Sequence, residues 1–361
     1  MRIEKTVMGL MGMLCVSQAL TAELSPVPLG SDLIYFKGAN YVYRDEGAVA
    51  PLRFRRDVLG LSPEQLNFNP AIARWSSGIK LVFSTSSSAV RIDLVLRGFR
   101  SSEPATCRIY RDGKAFRDFK WTRLQEDSPV EIQLENPDAV GHLYCIEFPA
   151  TAETVVTGMF LAEGFGLDSV ALDKKPVYVA LGDSITHGSG NLNGVSADAY
   201  SYLLGQKLGC DFFNLGVSGG RVAPKIGEML ADWKQVDLIT VLLGANDFSW
   251  AAVPPERYRQ TYGELIAAIR ESHPLVPLFC ITLTYTTREA GDTGDLTETY
   301  RQVVRDIVQS ARAKGDDHIF LVEGDELTGP HDLYDWVHLT ADGNRRFAEK
   351  LYREIQETTE F

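Results

Sequence analysis

From about Leu33 to Leu161 apolar positions alternate with polar ones. Ile79, Leu81 and Phe83 do so, as do Val90, Ile92, Leu94 and Leu96, and then Val130, Ile132 and Leu134. A period of two turns one face of each segment towards a core, so these runs predict half-buried β-strands. Asp112-Gly113 stands between two such runs and predicts a tight hairpin turn. Short strands separated by turn residues, without long helical periods, predict a β-sandwich.

The pattern changes between Gly164 and Lys175. Beyond it, apolar strand-like runs (Val177 to Leu181, Asp211 to Leu215, Leu238 to Leu243, Leu278 to Leu283, Ile319 to Val322) alternate with helical ones. The predicted helices are Ala197 to Leu208, Val222 to Trp233, Pro255 to Arg270, Leu296 to Ala313 and Ala341 to Ile355. Such alternation predicts a parallel sheet covered on both faces. Sheets of that kind carry their sites at the carboxyl ends of the strands.

The N-terminus reads as an export leader. Arg2 and Lys5 precede an apolar stretch from Val7 to Leu20, and the small residues Ala19 and Ala22 lie near a cleavage point. The stretch is too short and too glycine-interrupted to span a membrane. Met13 and Leu14 before Cys15 lack the small residue that a lipid-anchoring box requires. The expected division is a signal peptide at 1–22, a β-sandwich at 23–170 and an α/β domain at 171–361, in a secreted or periplasmic protein.

The composition, 45% hydrophobic and 23% charged over 361 residues, is that of a globular chain. A net charge of −12 repels phosphate backbones and anionic membrane surfaces, so nucleic acid is excluded as a partner. Without the leader, Cys107, Cys145, Cys210 and Cys280 remain, none in a metal or redox spacing. Cys107 and Cys145 fall in strand-like segments, and their pairing as a disulfide stays open. His142, His187, His273, His318 and His331 lack ligand spacing, so no metal and no cofactor is expected.

Four blocks follow the predicted strands. Leu181-Gly182-Asp183-Ser184-Ile185-Thr186 places a serine just beyond a buried strand, where the free N–H groups of a starting helix point at the same spot. Asn214-Leu215-Gly216-Val217-Ser218-Gly219-Gly220 lets backbone approach a ligand closely. Gly244-Ala245-Asn246-Asp247 offers a side-chain amide to a developing oxyanion. Asp335-Trp336-Val337-His338 places a carboxylate within reach of a histidine ring, whose other nitrogen can take a proton from serine. Taken singly, each block also reads as something ordinary: a helix cap, a glycine turn, another cap, a structural histidine. Taken jointly they do not, because one parallel sheet brings all four together.

Ser, Gly, Asn, then Asp and His in this order is the pattern of the GDSL/SGNH hydrolases, which residues from about Val177 to Phe361 resemble. The resemblance implies Ser184 as nucleophile, His338 as its base and Asp335 as the group that orients it. It implies an oxyanion hole made by the N–H groups of Ser184 and Gly219 with the side-chain amide of Asn246. It also implies an α/β fold, a three-layer parallel sheet of the flavodoxin-like kind. The front half, from Trp75-Ser76-Ser77-Gly78-Ile79-Lys80 onwards, resembles the jelly-roll-like β-sandwich domain of two-domain carbohydrate esterases. In some of those the aspartate is missing and a Ser–His pair suffices; here Asp335 is present, so a triad is expected. The expected activity is removal of O-acetyl groups from carbohydrate. A lipase, lysophospholipase or thioesterase acting on longer acyl chains, and an inactive carbohydrate-binding protein, are the alternatives. His187, three residues after the nucleophile, is expected in a solvated loop, with a place in the pocket lining as the alternative; Trp250 is expected in the core or as a hydrophobic or sugar-stacking wall, and Glu323 and Asp325 as loop carboxylates.

Overall fold

The computed structural model describes residues 23–99, 103–190, 194–290 and 294–361; the expected leader at 1–22 lies outside the described residues. The first half builds eleven strands: β1 Leu24–Pro26, β2 Tyr35–Lys37, β3 Tyr41–Asp45, β4 Ala48–Leu52, β5 Lys80–Thr85, β6 Ala89–Arg97, β7 Ala105–Arg111, β8 Lys114–Trp121, β9 Ser128–Glu135, β10 His142–Glu147 and β11 Glu153–Ala162. They form two antiparallel sheets. One runs β3-β4-β11-β6-β9 with β1 added on β11, and the other runs β2-β5-β10-β7-β8. The period-two pattern explains the packing. In β6, Val90, Ile92, Leu94 and Leu96 are buried while Arg91 and Asp93 face outwards. The first three of these meet Leu81, Phe83, Ile109, Tyr144 and Ile146 of the facing sheet in one apolar core. β7 and β8 turn through Asp112 and Gly113, both at positive φ (51° and 77°), the geometry of a two-residue hairpin.

Cys107 and Cys145 sit on adjacent strands, but the register pairs Cys145 with Tyr110. Cys107 is three residues from Tyr110, so the two thiols point to opposite faces of the sheet and do not bridge. The four cysteines among the described residues are free.

Two short helices, α1 Pro63–Leu66 and α2 Pro70–Ala73, separate β4 from β5. The second half contributes five parallel strands, β12 Val177–Gly182, β13 Asp211–Gly216, β14 Leu238–Leu242, β15 Leu278–Ile281 and β16 Ile319–Val322, in the order β13-β12-β14-β15-β16. The helices between and after them are α3 Ser184–His187, α4 Tyr200–Lys207, α5 Pro224–Met229, α6 Ala245–Ser249, α7 Pro255–Ser272, α8 Gly294–Ala313, α9 Gly324–Leu327 and α10 Ala341–Thr358. The helix expected over Val222 to Trp233 is shorter: it starts at Pro224, which suits a first helical position, and tightens into a 3-10 turn at Leu230–Asp232.

Successive side chains of β12 enter opposite layers. Val179 and Leu181 pack towards α5, α7 and α8, and Tyr178 and Ala180 towards α4 and α10. Leu52, Phe54, Leu59, Leu66 and Phe68 join the first of these layers, so the stretch between β4 and β5 completes a core of the parallel sheet. The chain steps from β12 to β13 on one side and then returns past β12 to β14. The carboxyl ends of these three strands therefore flank the point where the winding direction reverses, the usual place for a site in such sheets. Among the described residues no helix is long and apolar enough to cross a membrane.

Candidate active site

β12 ends at Gly182, and α3 begins two residues later. The Asp183 carboxylate caps it by accepting the Ile185 N–H at 3.1 Å, which makes Ser184 the first helical residue. The turn is too tight for a side chain at Gly182, whose Cβ would lie 2.0 Å from Thr186 Oγ1 and 2.9 Å from the Leu242 carbonyl oxygen. Ser184 is 7% exposed, and its Oγ stands 2.8 Å from His338 Nε2.

His338 comes from the loop that leads into α10. A bridge between Leu333 and Leu339 closes this loop, and the Tyr334 N–H donates to the His338 carbonyl at 2.7 Å. Gly190 packs on the histidine so closely that a Cβ there would be 2.7 Å from His338 Cβ. Asp335 Oδ2 accepts from His338 Nδ1 at 2.7 Å. Its Oδ1 accepts the Val337 and His338 N–H groups at 2.9 and 2.7 Å. Burial pushes the Asp335 carboxyl up, but the bonds from the His338 ring and the two amides outweigh it and hold it below the ordinary carboxylate value. An Nδ1 facing a carboxylate carries the ring proton, which leaves the Nε2 lone pair for the serine hydroxyl.

Gly219 lies in the turn after β13 at φ 77°, a conformation that favours glycine. The Gly220 N–H closes the turn on the Val217 carbonyl at 2.8 Å. Asn246, in the first turn of α6, donates one Nδ2 hydrogen to the Gly220 carbonyl at 2.9 Å. A carboxamide has two such hydrogens, so this bond fixes the group without exhausting it. Beneath the site two carboxyls are buried. Burial, and then the neighbouring Asp247 charge, push Asp183 up to about 7; burial pushes Asp247 up to about 6. Asp247 accepts the Val222 N–H at 3.2 Å. Only the capping role of Asp183 is legible in the sequence; the burial of both is tertiary.

The structure thus brings Ser184, His338 and Asp335 into one hydrogen-bonded chain and ties Asn246 to the Gly219 turn. Other residues fall differently. His187 is not solvated but 2% exposed. Its Nδ1 is 3.0 Å from the Gly216 carbonyl and its Nε2 2.7 Å from the Ala150 carbonyl, because α3 lays this position between the two halves of the chain. Trp250 is 72% exposed, not a core residue. Its ring centroid is 6.5 Å from that of Trp336, over which Arg288 stacks at 3.8 Å; Tyr334, 52% exposed, lies in the same loop. Between α6, the end of β15 and this loop is a small apolar hollow of about 10 Å³, lined by Phe248, Leu283, Thr286, Trp336 and Val337 among others. Glu323 is ion-paired with Arg305, and Asp325, within α9 and not in a loop, lies 3.5 Å from Arg301. Among the described residues no cluster of His, Cys, Asp and Glu could hold a metal ion.

Residues 180–346 match the model of the GDSL-like lipase/acylhydrolase family. No curated protein matches the chain. Among solved structures, a salicylyl-acyltransferase from a tetracycline biosynthetic pathway superposes with a TM-score of 0.79 at 21% identity, covering 94% of this chain and 98% of its own. A family two carbohydrate esterase from Clostridium thermocellum in complex with cellohexaose gives 0.64 at 17% identity, covering 86% and 98%. An acetyl xylan esterase from the rumen bacterium Butyrivibrio proteoclasticus gives 0.66 at 12%, covering 93% and 98%. These likenesses carry the fold over nearly the whole chain, the antiparallel sheets of the first half included.

Proposed function

We propose that this chain, an ester-hydrolysing enzyme built on a GDSL-like lipase/acylhydrolase domain, removes O-acetyl groups from carbohydrate. The observation that carries the reading is the hydrogen-bonded chain Ser184–His338–Asp335, with an exposed aromatic cluster on the same loop as His338. A short acyl group needs little apolar space beside the serine, whereas a fatty chain needs a long groove. Exposed Trp250 and Tyr334 with Trp336 offer flat apolar faces of the kind that mark ligand-binding surfaces. A cellohexaose-bound esterase and an acetyl xylan esterase among the structural neighbours agree with sugar as the alcohol side of the ester. The basic and apolar residues 2–20 support export, where such polymers are met.

In this mechanism Ser184 Oγ attacks the acetyl carbon while His338 Nε2 takes the hydroxyl proton. Asp335 supports the resulting imidazolium. The carbonyl oxygen becomes an oxyanion held by the N–H groups of Ser184 and Gly219 and by the Asn246 amide. Collapse breaks the bond to the sugar oxygen, which leaves with the proton from His338. Water then enters by the reverse steps and releases acetate, returning the proton to Ser184.

The test compares 4-nitrophenyl acetate with the octanoate, for wild type and Ser184→Ala, and then acetylated oligosaccharides. Acetate preference, lost in the variant, is expected. Octanoate preference moves the protein to the lipid esterases. Wild-type activity no better than the variant's on either ester makes it a binding protein.

A further inference from the structure

We propose that the stretch from Arg53 to Trp75, far outside the hydrolase domain in sequence, is a positioning element of the active site: Arg53 and Asn67 clamp the Gly219 turn from its two ends. The inference rests on the reading of the Gly219 N–H as an oxyanion donor.

The argument starts at the edge of the parallel sheet. β13 is an edge strand, paired with β12 only. Along a strand, backbone groups point alternately to either side. The Val217 N–H reaches the Gly182 carbonyl at 3.0 Å, so Asn214 and Gly216, of the other parity, direct their carbonyls away from the sheet. A buried edge left like that carries unpaired acceptors, each costly in free energy. Arg53 satisfies them. Its Nη1 donates to the Asn214 and Gly216 carbonyls at 3.0 and 2.6 Å. Its Nε and Nη2 donate to the carbonyls of Trp75 and Ile72 at 2.7 and 3.3 Å. The side chain is 1% exposed, so the guanidinium fork replaces the missing neighbour strand from within the interior.

Asn67 holds the other end of the turn. Its carbonyl accepts the Arg221 N–H at 2.9 Å, its Nδ2 donates to the Val222 carbonyl at 2.8 Å, and its Oδ1 accepts from Arg221 Nη2 at 3.2 Å. Phe68 closes in as well: a Cβ on Gly220 would lie 3.5 Å from Phe68 Cβ. Residues 217–220 are therefore strung between two anchors, Gly216 and Arg221-Val222, and the stretch that precedes β5 bonds both, alongside His187 at Gly216 and Asp247 at Val222. The direction of the Gly219 N–H follows from where those anchors sit. A misplacement on the order of 1 Å in such a group costs about 10²-fold in rate. Arg53 and Asn67, which bond these anchors, both lie outside the residues that the family model reaches.

Two variants of the full chain test this. Asn67 sits at φ 59°, which glycine adopts freely, so Asn67→Gly removes the side-chain bonds without straining the backbone. Arg53→Lys keeps the charge but cannot serve four carbonyls from one fork. Both are assayed for kcat and KM on 4-nitrophenyl acetate, with the active fraction titrated by a fluorophosphonate that labels Ser184. The expected result is kcat per labelled site lower by about 10- to 100-fold, KM within about twofold, and labelling complete. Partial recovery of kcat in Arg53→Ala on adding guanidinium is expected too. Wild-type kcat per labelled site in Asn67→Gly and Arg53→Lys overturns the proposal, as does a loss explained by a smaller labelled fraction. Neither outcome touches the reading of Ser184. A wild type that hydrolyses the ester but does not label overturns that reading, and this proposal with it.

Discussion

Asp335→Asn puts the largest demand on the geometry of the His338 loop. The carboxylate accepts three N–H groups: two backbone amides on Oδ1, at 2.9 and 2.7 Å, and His338 Nδ1 on Oδ2 at 2.7 Å. An asparagine has one acceptor oxygen and one NH₂ group. Facing the backbone with NH₂ would set two N–H donors against a third, so the amide oxygen takes the side with two donors. The NH₂ then faces Nδ1, which must become an acceptor. The ring proton moves to Nε2, 2.8 Å from the Ser184 oxygen, and the lone pair that should take the serine proton is gone. The backbone bonds of the loop survive, so stability and KM change little. The corresponding substitution in a serine protease costs about 10⁴ in kcat by the same tautomer argument, roughly 5 kcal/mol of barrier. The assay is steady-state hydrolysis of 4-nitrophenyl acetate near neutral pH, with the melting temperature as a control. A variant within about tenfold of wild type would refute the reasoning: Ser184 and His338 would then suffice as a pair, with Asp335 serving only the backbone.

Asn246→Ala removes the proposed oxyanion donor and the bond to the Gly220 carbonyl; kcat should fall by about 10²–10³, and near-full activity would take Asn246 out of the hole. Trp250→Ala should raise KM for an acetylated oligosaccharide several-fold more than for 4-nitrophenyl acetate, and equal effects on both would remove Trp250 from sugar binding. Asp183 concerns stability. Its folded value of about 7 lies above the usual value of about 3.9, so between these the folded state holds a proton that the unfolded state releases. Stability therefore falls as pH rises from about 4 to about 7 and stays lower above it. Asp183→Asn keeps an oxygen to cap Ile185 and removes the titration, so the drop in melting temperature from pH 5 to pH 8 should shrink; an unchanged drop would show that other groups set it.

What the sequence revealed and what it hid separate along a physical line. Strands and helices were legible because periodic burial is written into neighbouring residues: Val90, Ile92, Leu94 and Leu96 point inwards whatever lies opposite. The five parallel strands were legible because a strand covered on both faces must be apolar throughout. The candidate residues at the strand ends were legible because five residue types had to occur in order. Polar burial was not. Arg53 stands in the run Arg53-Phe54-Arg55-Arg56, where Arg55 and Arg56 meet carboxylates at the surface. Buried carbonyls make Arg53 different, those of Ile72 and Trp75 and, more than 160 residues away, those of Asn214 and Gly216. His187 was misread for the same reason, since its two partners belong to the segment after β10 and to β13.

The order of the strands also explains how the proposed oxyanion hole would take one donor from each side. β12 lies between β13 and β14, and the register pairs Gly182 with Gly216 on one flank and with Leu242 on the other. The three strands thus end at one level. Ser184 comes two residues beyond that level, Gly219 three and Asn246 four. An acyl oxygen on Ser184 would therefore meet a backbone donor from the β13 side and a side-chain donor from the β14 side, with its own amide between them. A one-residue slip of β13 would shift the turn by about 3.3 Å, more than the length of a hydrogen bond, and turn every side chain of the strand to the other face. That register is held by β12 through a strand ladder on one edge only; towards the other, Arg53 bonds the Asn214 and Gly216 carbonyls and His187 also meets the Gly216 carbonyl. An edge strand that carries the proposed oxyanion turn needs partners on its open side, and here a guanidinium from the first half of the chain bonds two of its carbonyls.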